Sequence, residues 1–325
     1  MLVKLIHNNK IGAYAFMLLL ILLFWIKPIF LGHAIDTSSL ENPMPLWALF
    51  TFLTKIPWLA YVFSVLSAIF VGLSINRLNS KYALLSKQSA LPGVVFVLLI
   101  GGMPLALHFN PIWIATLFFI LGLEYLFAAH DYRKVMKECF LTAFWISVAS
   151  LFSYSLVLLY PLFILLMIPL RLLNFKSFLA SLIGFVLPWL FLLGTELIWG
   201  SLADCFYYLN FSWDKIAHGF QHTSFSWAYL VSIAFIFFIG ALSVVRDYGT
   251  KKIFTRKQYL VFIYAALYIA ALMLITGLNI NMITMLAVPF SIVIAHLIDH
   301  IRAVLWKNIA LACLMLLSLA GHILL

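Results

Sequence analysis

The chain has 325 residues, 66% of them hydrophobic and 9% charged, with a formal net charge of +10. Soluble globular domains carry roughly 25% charged residues, and apolar runs of about 20 residues, the length that spans a bilayer, recur here from end to end, so a soluble domain is excluded. The runs are continuous rather than alternating, which excludes a transmembrane β-barrel. The positive charge lies in short loops between apolar runs, where it sets membrane orientation and implies no nucleic acid. The expected fold is therefore all-α: a polytopic transmembrane helix bundle, with residues 1–325 forming a single integral membrane domain and no separate soluble one.

The N-terminal segment MLVKLIHNNK carries Lys4 and Lys10 and is expected on the cytoplasmic side. The apolar run that follows lacks a small-residue cleavage site and reads as a retained first helix over 11–32. Beyond it, a polar segment contains His33, Asp36 and Glu41. Its Pro43, Pro45 and Trp47 predict a partly ordered stretch lying at the membrane interface. A second helix over 57–76 leads to a basic loop with Arg77, Lys81 and Lys87. The third, over 91–107, contains Gly101, Gly102 and Pro104 and is expected to kink or break there. A bilayer tolerates such a break only where protein or a wet cavity covers the backbone. His108, Asn110 and Pro111 turn the chain into a fourth helix over 111–129, whose Glu124 is expected to pair with Arg133 or Lys134.

Residues 139–170 are the ambiguous run, readable as one long helix or two short ones. If they cross twice, turning near Ser153–Ser155, all but Lys27, Lys55 and Lys215 of the 20 Lys and Arg residues fall on the cytoplasmic side. With one crossing the tally becomes about nine inside and eleven outside. The basic-inside bias therefore predicts two crossings. Helices of about 16 residues rise only about 24 Å, which suits a position covered by neighbours. Further helices are expected over 177–200, with Pro188 and Glu196, and over 225–245, 258–277, 280–298 and 305–323. The total is eleven helices, with a cytoplasmic N-terminus and a periplasmic C-terminus in a bacterial inner membrane. Cys139, Cys205 and Cys313 show no paired spacing, so no disulfide is expected. No internal repeat is evident, which argues against an inverted-repeat transporter.

The segment YPLFILLMIPLR, followed by LLNFKSFLASLIGFVLPWLF, resembles a family of uncharacterised multi-pass membrane proteins of the Bacteroidota. The matching features are a short aromatic-Pro helix, a basic turn, then a helix with Gly184, Phe185 and Pro188 in a Gly-Phe-x-x-Pro element. The basic turn RKQYL at 256–260 is similar too. This resemblance implies an inner-membrane protein and carries no activity. More distantly, the layout is similar to that of the C-type glycosyltransferases, which use lipid-linked sugars. They too begin with a helix, a long outer loop with an acidic residue and a basic inner loop; here these are Asp36, Glu41 and Arg77–Lys87. The chain departs from that pattern in lacking a tandem acidic pair in its first loop.

Candidate site residues follow from these positions. Asp36 and Glu41 at a membrane surface would serve as a general base toward a sugar hydroxyl, or hold a divalent cation on a diphosphate; a solvated loop acid is the alternative. Glu196 near the outer end of its helix is costly if lipid-facing and is expected in the interior or in a wet cavity. Lys27 would snorkel to the interface or bind a lipid phosphate, with His33 and His108 beside it. The sharpest expectation is an outward cavity lined by Asp36, His108 and Glu196, with Lys27 or His33 at the rim. His218 and His222, four apart and near Asp214, have a spacing zinc can use but no third ligand of defined spacing. No organic cofactor is implied. The functional expectation is a glycosyltransferase-like protein acting on a polyprenyl-phosphate-linked sugar at the periplasmic face. The alternatives are a non-enzymatic subunit or scaffold of an envelope assembly or secretion complex, with membrane-protein partners, and a transporter.

Overall fold

The computed structural model describes residues 10–31, 44–54, 56–85, 89–130, 134–199, 224–249, 252–276, 279–301 and 303–324, and among them no strand occurs. The helices are α1 (Lys10–Leu31), the short α2 (Pro45–Ala48) and α3 (Thr51–Thr54), α4 (Pro57–Tyr82), α5 (Leu91–Gly101), α6 (Pro111–Ala128), α7 (Val135–Ser150), α8 (Leu159–Leu170), α9 (Phe175–Trp199), α10 (Ser224–Arg246), α11 (Ile253–Ile275), α12 (Ile283–His300) and α13 (Val304–Leu324). Eight of these segments are long and apolar enough to cross a membrane: α1, α4, α6 and α9 to α13. α5, α7 and α8 are shorter.

Side-chain pairs give the direction of each helix relative to its neighbours. Trp25 bonds Ser64 (3.2 Å) while Met17 abuts Gly72, so α1 and α4 are antiparallel. Ser147 reaches the Phe185 carbonyl (2.6 Å) and Trp189 reaches Ser150 (3.1 Å), so α7 and α9 run the same way. α8 must therefore run opposite to both, and Tyr160 stacks on Phe185 (4.4 Å between ring centres) as it does so. A 3₁₀ turn at Tyr154–Leu158 starts this return, and Arg171, left-handed at φ 58°, ends it. Asn174 then receives the Ser177 amide (2.7 Å) and opens α9. Residues 139–170 are thus two helices of opposite direction. α10 and α12 are parallel, with Phe237 stacked on Phe290 (4.1 Å), Gly240 against Val293 and Ser243 beside His296.

Two elements are central. Every residue of α5 is buried, and the segment from Ile280 to His300 is 89% buried, against 22% for α13. α5 is shorter than its expected 91–107: it stops at Gly101, and a 3₁₀ turn at Pro104–Leu107 follows. The physical reason is close approach. A Cβ on Gly101 would enter the Phe24 ring, one on Gly102 would meet Tyr229, and Gly321 of α13 lies so near that its Cβ would sit 2.6 Å from the Gly102 oxygen.

Two further contacts lie outside what the sequence suggested. Trp47 is fully buried against Phe109 (5.4 Å), and the α2 backbone is held to the end of α7 through Leu46 and Leu151 (3.3 Å). Glu124 pairs with Lys81 (2.6 Å) and Arg77 (3.2 Å), partners the sequence did not suggest; of the expected partners, Arg133 lies outside the described residues. α4 runs parallel to α6 and delivers both cations to that level.

Candidate functional site

The broken end of α5 exposes carbonyls that an intact helix would pair, and in a bilayer each must find a donor. Neighbouring helices supply them. Ser318 donates to the Leu98 carbonyl (2.6 Å), Tyr229 to Leu99 (2.9 Å), and the Nδ1 of His322 to Gly101 (2.9 Å). Ser64 donates to Leu107, and Trp113 Nε1 to Ala106 and His108 (3.2 and 3.1 Å). Asn110 caps α6 by accepting the Ile112 amide (3.0 Å), and its own amide bonds the His108 carbonyl (3.0 Å) and Asn281 (3.1 Å). Of the two conditions a broken helix requires, burial in protein is the one met here.

The expected site residues divide. Lys27 places its ammonium on the carbonyls of His322 (2.6 Å) and Ile323 (3.5 Å), at the C-terminus of α13, where the helix dipole favours a cation. The imidazole of His108 is buried beside Tyr61 (5.9 Å between ring centres). Asp36, Glu41 and His33 lie outside the described residues, as do Asp214, His218, His222 and the side chain of Glu196. The structure therefore brings Lys27 to the plugged end of α5, with its acidic partners of the expected site outside view.

Close to this plug is an apolar groove of about 200 Å³ between α10, α11 and α12. Leu99 is among its lining residues, with Trp227, Val231 and Ala234 from α10, Ala270 and Leu274 from α11, and Phe290 from α12. Val231 and Leu274 are exposed, so among the described residues the groove opens on the surface of the bundle. These positions are at the start of α10 and α12 and the end of α11, which all belong to the Lys27 end of the molecule.

At the opposite end, three side chains converge that the sequence did not single out together. The 3₁₀ turn Asp247–Gly249 follows α10 and presents Asp247 to the last turns of α12. Its Oδ2 lies 3.0 Å from His300 Nε2 and 3.9 Å from His296 Nε2. The signal was available: His296 and His300 are four apart, the spacing noticed for His218 and His222, which puts both on one helix face. The run AHLIDH reads instead as the basic end of a helix, and nothing in one sequence pairs it with Asp247, some fifty residues earlier.

Residues 43–324 match a family of unknown function, DUF6427, and the chain belongs to that family. No curated protein and no solved structure matches it.

Proposed function

We propose that this member of DUF6427 is a bacterial inner-membrane protein that seats the isoprenoid or acyl tail of a lipid-linked substrate in the groove between α10, α11 and α12, with the headgroup at the periplasmic face. The observation that carries the reading is the groove itself: apolar throughout, open at the surface of the bundle, and backed by the buried Leu99. Two residues beyond Leu99, Gly101 bonds His322, whose carbonyl holds Lys27. An ammonium has three donors and those two carbonyls take two, leaving one for a phosphate. In this reading Asp36, Glu41 and Glu196 supply the acid–base carboxylates of a glycosyltransferase-like transfer, His33 joins Lys27 at the phosphate, and His108 stays structural. A divalent cation on the diphosphate is the remaining partner. All eleven long or short apolar helices cross, and the N-terminus is cytoplasmic.

The test is to purify the protein in a mild detergent and identify co-purifying lipids by mass spectrometry. Wild type is expected to enrich a polyprenyl-phosphate lipid over its membrane abundance, and Ala234→Trp with Ala270→Trp, which fill the groove, to abolish the enrichment. Lipids in bulk membrane proportion from wild type would defeat the reading and leave the scaffold alternative.

A further inference from the structure

The Asp247, His296 and His300 cluster at the basic end of the bundle is built more carefully than an incidental ion pair requires. The ligand atoms of the three residues lie within 4.8 Å of one another. Four successive contacts set their positions. Phe237 stacks on Phe290 (4.1 Å), and one turn on, Gly240 admits Val293, where a Cβ would meet Val293 Cγ1 at 3.0 Å. The next turn places Ser243 Oγ 3.3 Å from His296 Nδ1, and the last brings Asp247 to His300. Close packing of α10 on α12 thus carries straight into the cluster.

The imidazoles are held in place. His296 is buried, with Tyr259 edge-on at 4.8 Å between ring centres. His300 stacks on His296 at 4.6 Å with 28° between the planes, and the Nε2 atoms of both rings approach Asp247 Oδ2. The Tyr259 hydroxyl is itself fixed on the Leu84 carbonyl (2.8 Å), and Arg256 steadies the turn that carries Asp247 through the Gly249 carbonyl (2.9 Å). A Ser243 hydroxyl that accepts from Nδ1–H leaves the Nε2 of His296 as a lone-pair donor; this is the outer-shell arrangement that sets a metal-binding tautomer.

We infer that Asp247, His296 and His300 form a binding site for a divalent cation of the zinc type. Zinc takes nitrogen and carboxylate oxygen at about 2.0–2.2 Å in a tetrahedron, which puts its ligand atoms about 3.3 Å apart. The two carboxylate–imidazole separations, 3.0 and 3.9 Å, bracket that value, all three ligand atoms lie within 4.8 Å of one another, and rotation of the half-exposed His300 ring would draw them together. The fourth position faces a cavity of about 430 Å³, whose wall includes Arg246 and Ser243. Three protein ligands and an open position are the pattern of a reactive or exchangeable site, not of a closed structural one. Arg246 in that wall would suit an anionic fourth ligand. This inference is independent of the lipid reading, since the groove and the cluster are at opposite ends of the molecule.

The experiment uses the full-length protein in detergent, stripped with a chelator and titrated with Co²⁺ and Zn²⁺. One equivalent of Co²⁺ should give the intense visible absorption of tetrahedral coordination, displaced by one equivalent of Zn²⁺. Asp247→Asn and His300→Ala should each weaken binding at least tenfold, and His130→Gln, a histidine at the same end outside the cluster, should not. His300 is half-exposed, and an unchanged elution profile and unfolding temperature of the metal-free variant establish that it folds. Absence of stoichiometric binding, a purely octahedral cobalt spectrum, or equal binding by wild type and the two cluster variants would overturn the assignment.

Discussion

Gly184 is the position where one methyl group should cost the most. A Cβ there would lie 3.1 Å from the Phe140 carbonyl carbon and 3.2 Å from its Cα, and closer still to the oxygen. These are backbone atoms of α7 and cannot rotate aside, so Gly184→Ala must push α7 and α9 apart. Overpacking of this kind costs about 1–3 kcal/mol. The parting also stretches the Ser147–Phe185 and Trp189–Ser150 hydrogen bonds, each worth about 0.6 kcal/mol inside a membrane. Against this, alanine gains up to about 1 kcal/mol of helix propensity over glycine. The net expectation is a destabilisation of about 1–3 kcal/mol. Gly194 in the same helix is the control, because a Cβ there meets nothing within 4 Å. Gly194→Ala should keep the propensity gain alone. Reversible unfolding in mixed SDS–detergent micelles measures both. If Gly184→Ala is as stable as Gly194→Ala, the close approach of α7 and α9 is not what holds this part of the bundle, and the reasoning fails.

Lys27→Met removes the cation from the C-terminus of α13 and should cost about 1 kcal/mol, with faster hydrogen exchange confined to the last turn of that helix. Asn110→Ala deletes an N-cap and two further bonds, for about 1–2 kcal/mol, and should be strongly non-additive with Asn281→Ala because the two side chains bond each other (3.1 Å). In a background without native cysteines, Ser38→Cys and Ser212→Cys should react with an impermeant thiol reagent added from the periplasmic side and Ser86→Cys should not. Labelling at position 86 but not at 212 would overturn the proposed orientation.

Charge and hydropathy made the helix order legible, because a bilayer forces both signals into the sequence: apolar length for each crossing and basic residues at one end. The same rule resolved residues 139–170, whose two helices of opposite direction follow from a count of lysines and arginines. What it could not supply is any contact between helices distant in the chain. Glu124 shows the limit. Sequence proximity points to Arg133 and Lys134, but helix packing brings Arg77 and Lys81, over forty positions earlier, to within 3.2 Å. Trp47 shows it again, since nothing near it in the sequence announces the contacts with Phe109 and the end of α7 that bury this segment.

The end of α5 was half legible, and the missing half is instructive. Gly101, Gly102 and Pro104 announce a break, and the low dielectric of the bilayer demands partners for the freed carbonyls. Sequence cannot say whether those partners are water or side chains. The donors turn out to be Ser318, Tyr229 and His322, which come from the two helices α10 and α13. Both glycines are needed for the same reason: Phe24 and Tyr229 occupy the space their side chains would fill. Tyr229 thus performs two tasks, filling the notch at Gly102 and bonding the Leu99 carbonyl, and Leu99 is also a wall of the apolar groove. The break in α5 and the shape of the groove are therefore one structural feature, because the residue that satisfies the broken backbone also fixes the groove's inner wall.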